Sequence, residues 1–239
     1  MKNLLLLALM GFSLTSTAQA SLVARVGGMV YDDVNNITWA SDANLFQTQA
    51  ASNPNLVSEI IAANGGVVHD TPNAYDNGTY TLTTADFDTA NGAMTWWGAQ
   101  AWANNLSLGG YTDWALPTTV PALSGYNQTG SQMGDLFYNQ LGGVQNTSIS
   151  TTHNANYNLF SNVQSYVYWS SSEYAPSPGY AWGFYTYYGY QDIYDKPYQF
   201  YAWAVRPGDV AAVPVPGAFW LFGSVMVGLM GLKRRGSIG

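Results

Sequence analysis

A chain of 239 residues with 15% aromatic and only 9% charged side chains is long enough to bury a core and too aromatic to be disordered. Its lack of cysteine excludes disulfides, thiolate metal sites and cysteine nucleophiles. The net charge of −7 understates the acidity of the middle of the chain, where only Arg25, Lys196 and Arg206 stand against all 14 acids, and such a surface argues against a nucleic-acid partner.

At the N-terminus, Lys2 precedes an apolar run over residues 4–12, and polar residues then lead to Ala18-Gln19-Ala20. These are the three parts of a secretory signal peptide, with cleavage expected after Ala20. Residues 1–20 therefore stand outside the fold, and residues 21–208 are expected to form one exported domain. Within it, residues 29–31 and 37–39 are short strand runs around Asp32-Asp33-Val34-Asn35-Asn36, which predicts a hairpin. Residues 43–64 read as helical on both sides of Pro54, with Gly65-Gly66 as the stop. Residues 69–93 are rich in Thr, Asp, Asn and Gly and read as loop or weak edge strands.

A stronger helix follows. Thr95 is its expected cap, and Ala99, Trp102, Ala103 and Leu106 recur at the spacing of one buried face before Gly109-Gly110. Ser131 opens a second helix, with Met133, Leu136, Phe137 and Leu141 on one face and Gly134 as a slight weakness. After residue 160 the period becomes two. "VQSYVYWSSSEY", "YAWGFYTYYGYQ" and "YQFYAWAVRPG" read as strands separated by Gly, Pro and Asp. Two main helices followed by an aromatic antiparallel sheet predict an α+β domain.

The end of the chain has a different character. Pro214 and Pro216 flank Val215, residues 217–232 are apolar, and Lys233-Arg234-Arg235 follow. In order and position these parts resemble a PEP-CTERM sorting tail, here residues 209–239, although Val215 stands where that tail carries an acid. A transmembrane helix over residues 217–232 would span roughly 24 Å, short of the ~30 Å hydrocarbon core, with its basic end at the cytoplasmic interface. The resemblance implies membrane anchoring on the non-cytoplasmic side, then cutting near Pro214 and Pro216 by an exosortase-type membrane protease. A plain C-terminal anchor is the alternative.

Three further motifs are Gly110-Tyr111-Thr112-Asp113-Trp114-Ala115-Leu116-Pro117-Thr118, Tyr168-Trp169-Ser170-Ser171-Ser172-Glu173 and Ala202-Trp203-Ala204-Val205-Arg206-Pro207-Gly208. Their order and spacing resemble the bacterial Lcl C-terminal-like domain, named after a collagen-like surface adhesin, and "VYDDVNNITW" resembles its opening hairpin. The likeness spans residues 28–208. Ala115 replaces the arginine the family usually carries before Leu-Pro, which removes one structural ion pair. The resemblance implies a compact, irregular fold akin to C-type-lectin-like and sulfatase-modifying domains, and a place on a surface. Through the named adhesin it also implies recognition of sulfated glycans, which so acidic a domain does not favour.

Glu173, beside the hydroxyls of Ser170, Ser171 and Ser172, is a candidate ligand-binding carboxylate. The plainer expectation, and the favoured one, pairs Glu173 or Asp113 with Arg206 inside the fold. Tyr187, Tyr188, Tyr190 and Tyr194, near Gly189 and Asp192, are the candidates for exposed sugar-stacking rings, against the expectation that many aromatics fill the core. Asp86-Phe87-Asp88 fails as an EF-hand opening, because Ala90 takes a ligand position and no Glu closes the loop. No metal site and no cofactor is assigned; calcium at Asp32/Asp33 or Asp192/Asp195 is left open without support. His69 and His153 read as solvated loop residues. With two His, two Glu and no G-x-S-x-G, H-E-x-x-H or phosphate loop, the chain offers no catalytic constellation. The sequence thus predicts an exported, non-catalytic surface or extracellular-matrix protein that binds or sits within polysaccharide. A purely structural surface protein is the alternative, and a hydrolase-like enzyme on the same fold ranks lower.

Overall fold

The computed structural model describes residues 22–210. A strand that the sequence does not signal, β1 (Leu22–Arg25), pairs antiparallel with β2 (Met29–Asp32), and β2 turns back into β3 (Ile37–Ala40). Asp32 shapes that turn, since its Oδ1 accepts the backbone N–H groups of Val34 and Asn35 at 3.1 Å each. Its Oδ2 accepts the Asn35 amide at 2.8 Å, and the same amide donates to Asp135 at 2.7 Å, which fastens the hairpin to a helix 100 residues away.

α1 (Leu45–Ser52) and α2 (Leu56–Ala63) flank Pro54, and Gly65 and Gly66 end the second with left-handed φ angles of 64° and 78°. A small ribbon follows, β4 (Val67–His69) with β5 (Thr79–Thr81), and then a short turn in which Thr83 and Asp86 form a capping box. Asp86 thus has a structural job. α3 (Trp96–Asn104) is capped by Thr95, whose hydroxyl accepts the Gly98 N–H at 3.2 Å. Its buried surface is wider than one stripe, because Trp96, Trp97 and Ala101 are enclosed along with Ala99, Trp102 and Ala103.

After β6 (Gly125–Tyr126), Ser131 caps α4 (Gln132–Asp135), which widens into a π turn over Leu136–Gln140. Gly134 is needed for space: a Cβ there would stand 1.8 Å from the Gln128 carbonyl oxygen. β7 (Val167–Glu173), β8 (Tyr180–Tyr185) and β9 (Tyr190–Asp195) then complete an antiparallel sheet in the order β6-β9-β8-β7. The third aromatic run does not join it as a strand. Phe200 and Tyr201 make single bridges to Met94 and Tyr168, and β10 (Val205–Pro207) pairs with β3 instead. The first sheet therefore runs β1-β2-β3-β10 and brings the two ends of the domain together.

Among the described residues, three sheets and four short α-helices correct the expected picture of a lectin-like domain with two main helices against one aromatic sheet. Among the described residues no helix is long and apolar enough to cross a membrane, and residues 217–232, where the transmembrane helix is expected, lie outside them. Ala18, Ala20, Pro214, Pro216, Lys233, Arg234 and Arg235 also lie outside the described residues. What stands is a small α+β domain.

Its core is built on tryptophan. Trp39, Trp97, Trp102, Trp169 and Trp203 are all fully buried. Burying an indole requires an acceptor for its N–H, and each finds one: Asp32, Asp70, Gln49, the Met94 carbonyl and the Ala40 carbonyl, respectively.

Candidate functional site

β8 and β9 are joined by a turn over residues 186–189, with Gly189 at φ 70°. A Cβ on Gly189 would fall 2.6 Å from both Phe137 and Tyr138, so the turn is pressed onto the helical segment behind it. The Tyr138 hydroxyl also donates to the Gly189 carbonyl at 2.5 Å. Braced in this way, the turn holds Tyr187 and Tyr188 in solvent, 44% and 41% exposed. Their rings meet edge to face at 4.7 Å, and Tyr185 contacts both, at 6.0 and 5.1 Å.

Sheet register extends this surface. Tyr185 lies opposite Tyr190, and Tyr190 opposite Tyr126, so the three share one face of the sheet. The Tyr126 and Tyr190 rings are 4.7 Å apart, and exposed Tyr166 continues the row beyond Tyr185 at 5.4 Å. Carboxamides border it: Asn127 donates to Gln145 at 2.7 Å, and the Asn146 N–H donates to the Tyr188 carbonyl at 2.8 Å. Burial pushes the Tyr185 hydroxyl above its ordinary value of 10.0, so at neutral pH it remains an uncharged donor and acceptor.

Two of the expected binding residues stand elsewhere. Tyr194 packs edge-on against Trp169 at 6.3 Å and Phe200 at 5.0 Å, and burial pushes its hydroxyl well up. Glu173 lies at the far end of the sheet, opposite Ala181, and its partner is Lys196.

That contact belongs to a cluster the sequence reading passes over. Lys196 Nζ stands 2.5 Å from Asp70 Oδ2 and 2.6 Å from Glu173 Oε1; the Lys196 and Asp70 side chains have no exposed surface, and that of Glu173 is 23% exposed. The ammonium lies 4.2 Å from the centre of the Trp96 ring and 5.7 Å from that of Trp97. Trp97 Nε1 donates to Asp70 Oδ2 at 2.9 Å, while the Thr71 N–H and hydroxyl hold Glu173 at 3.2 and 2.5 Å. The legible signal is that Lys196 is the one lysine between residues 21 and 232, set directly after Asp195 in an aromatic run. Asp70 carries no such signal.

Arg206 is engaged by Asp113. Its Nε and Nη2 donate to the two carboxylate oxygens at 2.8 and 2.9 Å, and the guanidinium lies 4.0 Å over Tyr111. The bond from Arg206 holds the Asp113 carboxyl below its ordinary value of 3.8. A depressed folded value favours the carboxylate in the fold, so this stabilisation is complete above the unfolded value and is lost as the pH falls through the folded one. Asp113→Asn is therefore expected to lower stability modestly at neutral pH, the pair being partly exposed, and to converge on the wild type below pH 3.8. Urea midpoints measured across the acid range check this.

The other candidates are engaged within the fold. Asp192 accepts the Ser124 hydroxyl at 3.0 Å, and Asp195 accepts that of Tyr75 at 2.8 Å, which pushes Tyr75 up to about 12. Asp32 is occupied by the hairpin turn, and Asp33 is exposed beside it. Among the described residues no group of three or more His, Asp or Glu converges as a metal site. His69 is exposed at the end of β4, and exposed His153 stacks on Tyr157 at 4.0 Å. An apolar cavity lined by Met133, Leu136, Phe137 and Leu141 has a volume of about 10 Å³, room for at most a single water and far too small for a sugar ring.

The geometry therefore defines an α+β domain whose distinguishing surface is a solvent-facing tyrosine row. The family model described as the Lcl C-terminal domain matches residues 28–206, and the chain belongs to that family. No curated protein and no solved structure matches the chain.

Proposed function

We propose that this is an exported, non-catalytic surface or extracellular-matrix protein that binds neutral polysaccharide through its tyrosine row. The observation that carries the reading is the exposure of Tyr187 and Tyr188 on a turn braced from behind. Large apolar rings held in water lose little freedom on binding, and their faces stack on the C–H faces of sugars while their hydroxyls meet sugar hydroxyls. The acid excess of the domain selects neutral rather than sulfated chains. Export is supported by the signal-peptide pattern ending at Ala20, and handling by an exosortase-type membrane protease by Pro214, Pro216 and the basic end.

The test is a glycan-array screen of the mature protein, with calcium and again with chelator. Saturable binding to neutral glycans is expected, unchanged by chelator. It is expected to fall about tenfold or more in Tyr187→Ala/Tyr188→Ala, at an unaltered thermal midpoint. Binding that survives the double variant would place the site elsewhere. A folded protein that binds nothing would favour the second reading, a purely structural matrix protein, which the burial of five tryptophans also suits.

A further inference from the structure

We propose that the folded domain joins Lys196 to Asp70 by an intramolecular amide bond, with Glu173 as the proton carrier. In the structure the two groups stand as reactants, with Nζ 2.5 Å from Asp70 Oδ2 and no exposed surface on either side chain. Two opposite charges taken wholly out of water are held at a desolvation penalty, and condensation replaces both with one neutral amide. Fixing amine and carboxyl at contact distance also removes the entropic barrier that makes such a condensation slow between free groups.

Two features go beyond what an ion pair needs. The first is the second carboxylate. Asp70 alone would neutralise the ammonium, yet Glu173 Oε1 lies 2.6 Å from the same nitrogen, steadied by Thr71, and keeps limited contact with solvent. The second is the asymmetry of Asp70. Its Oδ2 accepts from Trp97 Nε1 at 2.9 Å and from Asn73 Nδ2 at 3.2 Å, whereas its buried Oδ1 has no hydrogen-bond partner among the described residues. Trp97 and Asn73 are placed to stabilise negative charge on Oδ2 when Cγ becomes tetrahedral, and Oδ1 is free to leave.

The step balances without any co-reactant. The ammonium gives one proton to Glu173, and the freed amine attacks Cγ of Asp70, forming the Nζ–Cγ bond. The Cγ–Oδ1 bond breaks, and Oδ1 departs as water carrying two protons, one returned by Glu173 and one more from the nitrogen. The nitrogen keeps its third hydrogen as the amide N–H. One positive and one negative charge disappear together, and nothing is oxidised or reduced. Trp96 and Trp97 wall the site and exclude the water that would reverse the reaction. The bond would tie the end of β4 to the residue after β9, 126 positions apart, in a chain without cysteine.

Intact mass measured on the denatured mature protein tests this directly. The wild type is expected to weigh one water molecule less than its sequence, counted from the termini observed, and a protease digest is expected to yield a branched fragment carrying residues 70 and 196. Lys196→Met abolishes both signatures, and Glu173→Gln reduces them to a small fraction. A folded wild type at its full sequence mass, with separate fragments, would overturn the proposal whatever the variants do. An undiminished link in Glu173→Gln would overturn the role given to that residue.

Discussion

Against a wild type in which Lys196 and Asp70 stand as an ion pair, Lys196→Ala is expected to destabilise the domain by about 3–5 kcal/mol, a large part of the 5–15 kcal/mol that holds a typical domain together, and the proposed amide would enlarge that loss. The reason is what stays behind. Asp70 has no exposed side-chain surface, and without the ammonium its charge retains only the Trp97 and Asn73 donors in a site closed by two indoles. Glu173 suffers less, because it is partly exposed and keeps both bonds from Thr71. The expected pattern has a second part: Lys196→Met combined with Asp70→Leu recovers stability relative to Lys196→Ala, since it removes the stranded charge instead of isolating it. Urea denaturation of the three proteins reads both parts. A loss below about 1 kcal/mol for Lys196→Ala would mean that water reaches the site and that the cluster behaves as a surface pair.

Trp203→Ala is expected to cost a similar amount, about 3–5 kcal/mol, through a different term. Trp203 is 1% exposed and sits where the two large sheets meet. Its ring contacts Trp39 at 5.5 Å, Phe160 at 4.9 Å and Tyr168 at 5.4 Å, and its Nε1 donates to the Ala40 carbonyl at 2.8 Å. Truncation opens a cavity among rigid rings that collapse poorly, and it leaves the carbonyl without its indole donor. A fall in Tm of roughly 10 °C follows, read by thermal denaturation. Trp203→Phe, which keeps most of the ring volume, is expected to lose clearly less. Tyr188→Ala is expected to differ: removing a core ring lowers stability, whereas removing a ring of the exposed row is expected to leave stability nearly unchanged and to lower the proposed glycan binding.

How far the sequence carries depends on which neighbours decide the outcome. The hairpin of β2 and β3 is local, set by alternation and by an Asp that closes its own turn, and it forms where expected. The two helices around Pro54 and the caps at Thr95 and Ser131 are local in the same way. β1 is local too, since Gly27 and Gly28, at φ 85° and 78°, turn it back onto β2, and the Arg25–Asp209 ion pair adds a hold across 184 positions. β10 has the same alternation as the preceding strands, and only tertiary contact sends it to β3.

The candidate site divides along the same line. Tyr187 and Tyr188 lie within the glycine turn between two strands, and a turn faces water for reasons readable in sequence. Tyr194 shares its strand and its parity with Tyr190 and is half-buried like it, but its ring packs against Trp169 and Phe200 instead of joining the row. For Glu173 the sequence offers Arg206 as partner, because it is nearly the only basic residue of the domain. The fold gives Arg206 to Asp113 and brings up Lys196, a choice fixed by the β7–β8–β9 register rather than by any spacing.

The proposal that the tyrosine row binds sugar is tested most directly by amide NMR during titration with a neutral oligosaccharide. Saturable shifts are expected to cluster at Tyr126, Asn146, Tyr187, Tyr188 and Tyr190, with the signals of Asp70, Glu173 and Lys196 unmoved. Shifts clustered at the far end of the sheet, or none at all at millimolar oligosaccharide, would contradict it.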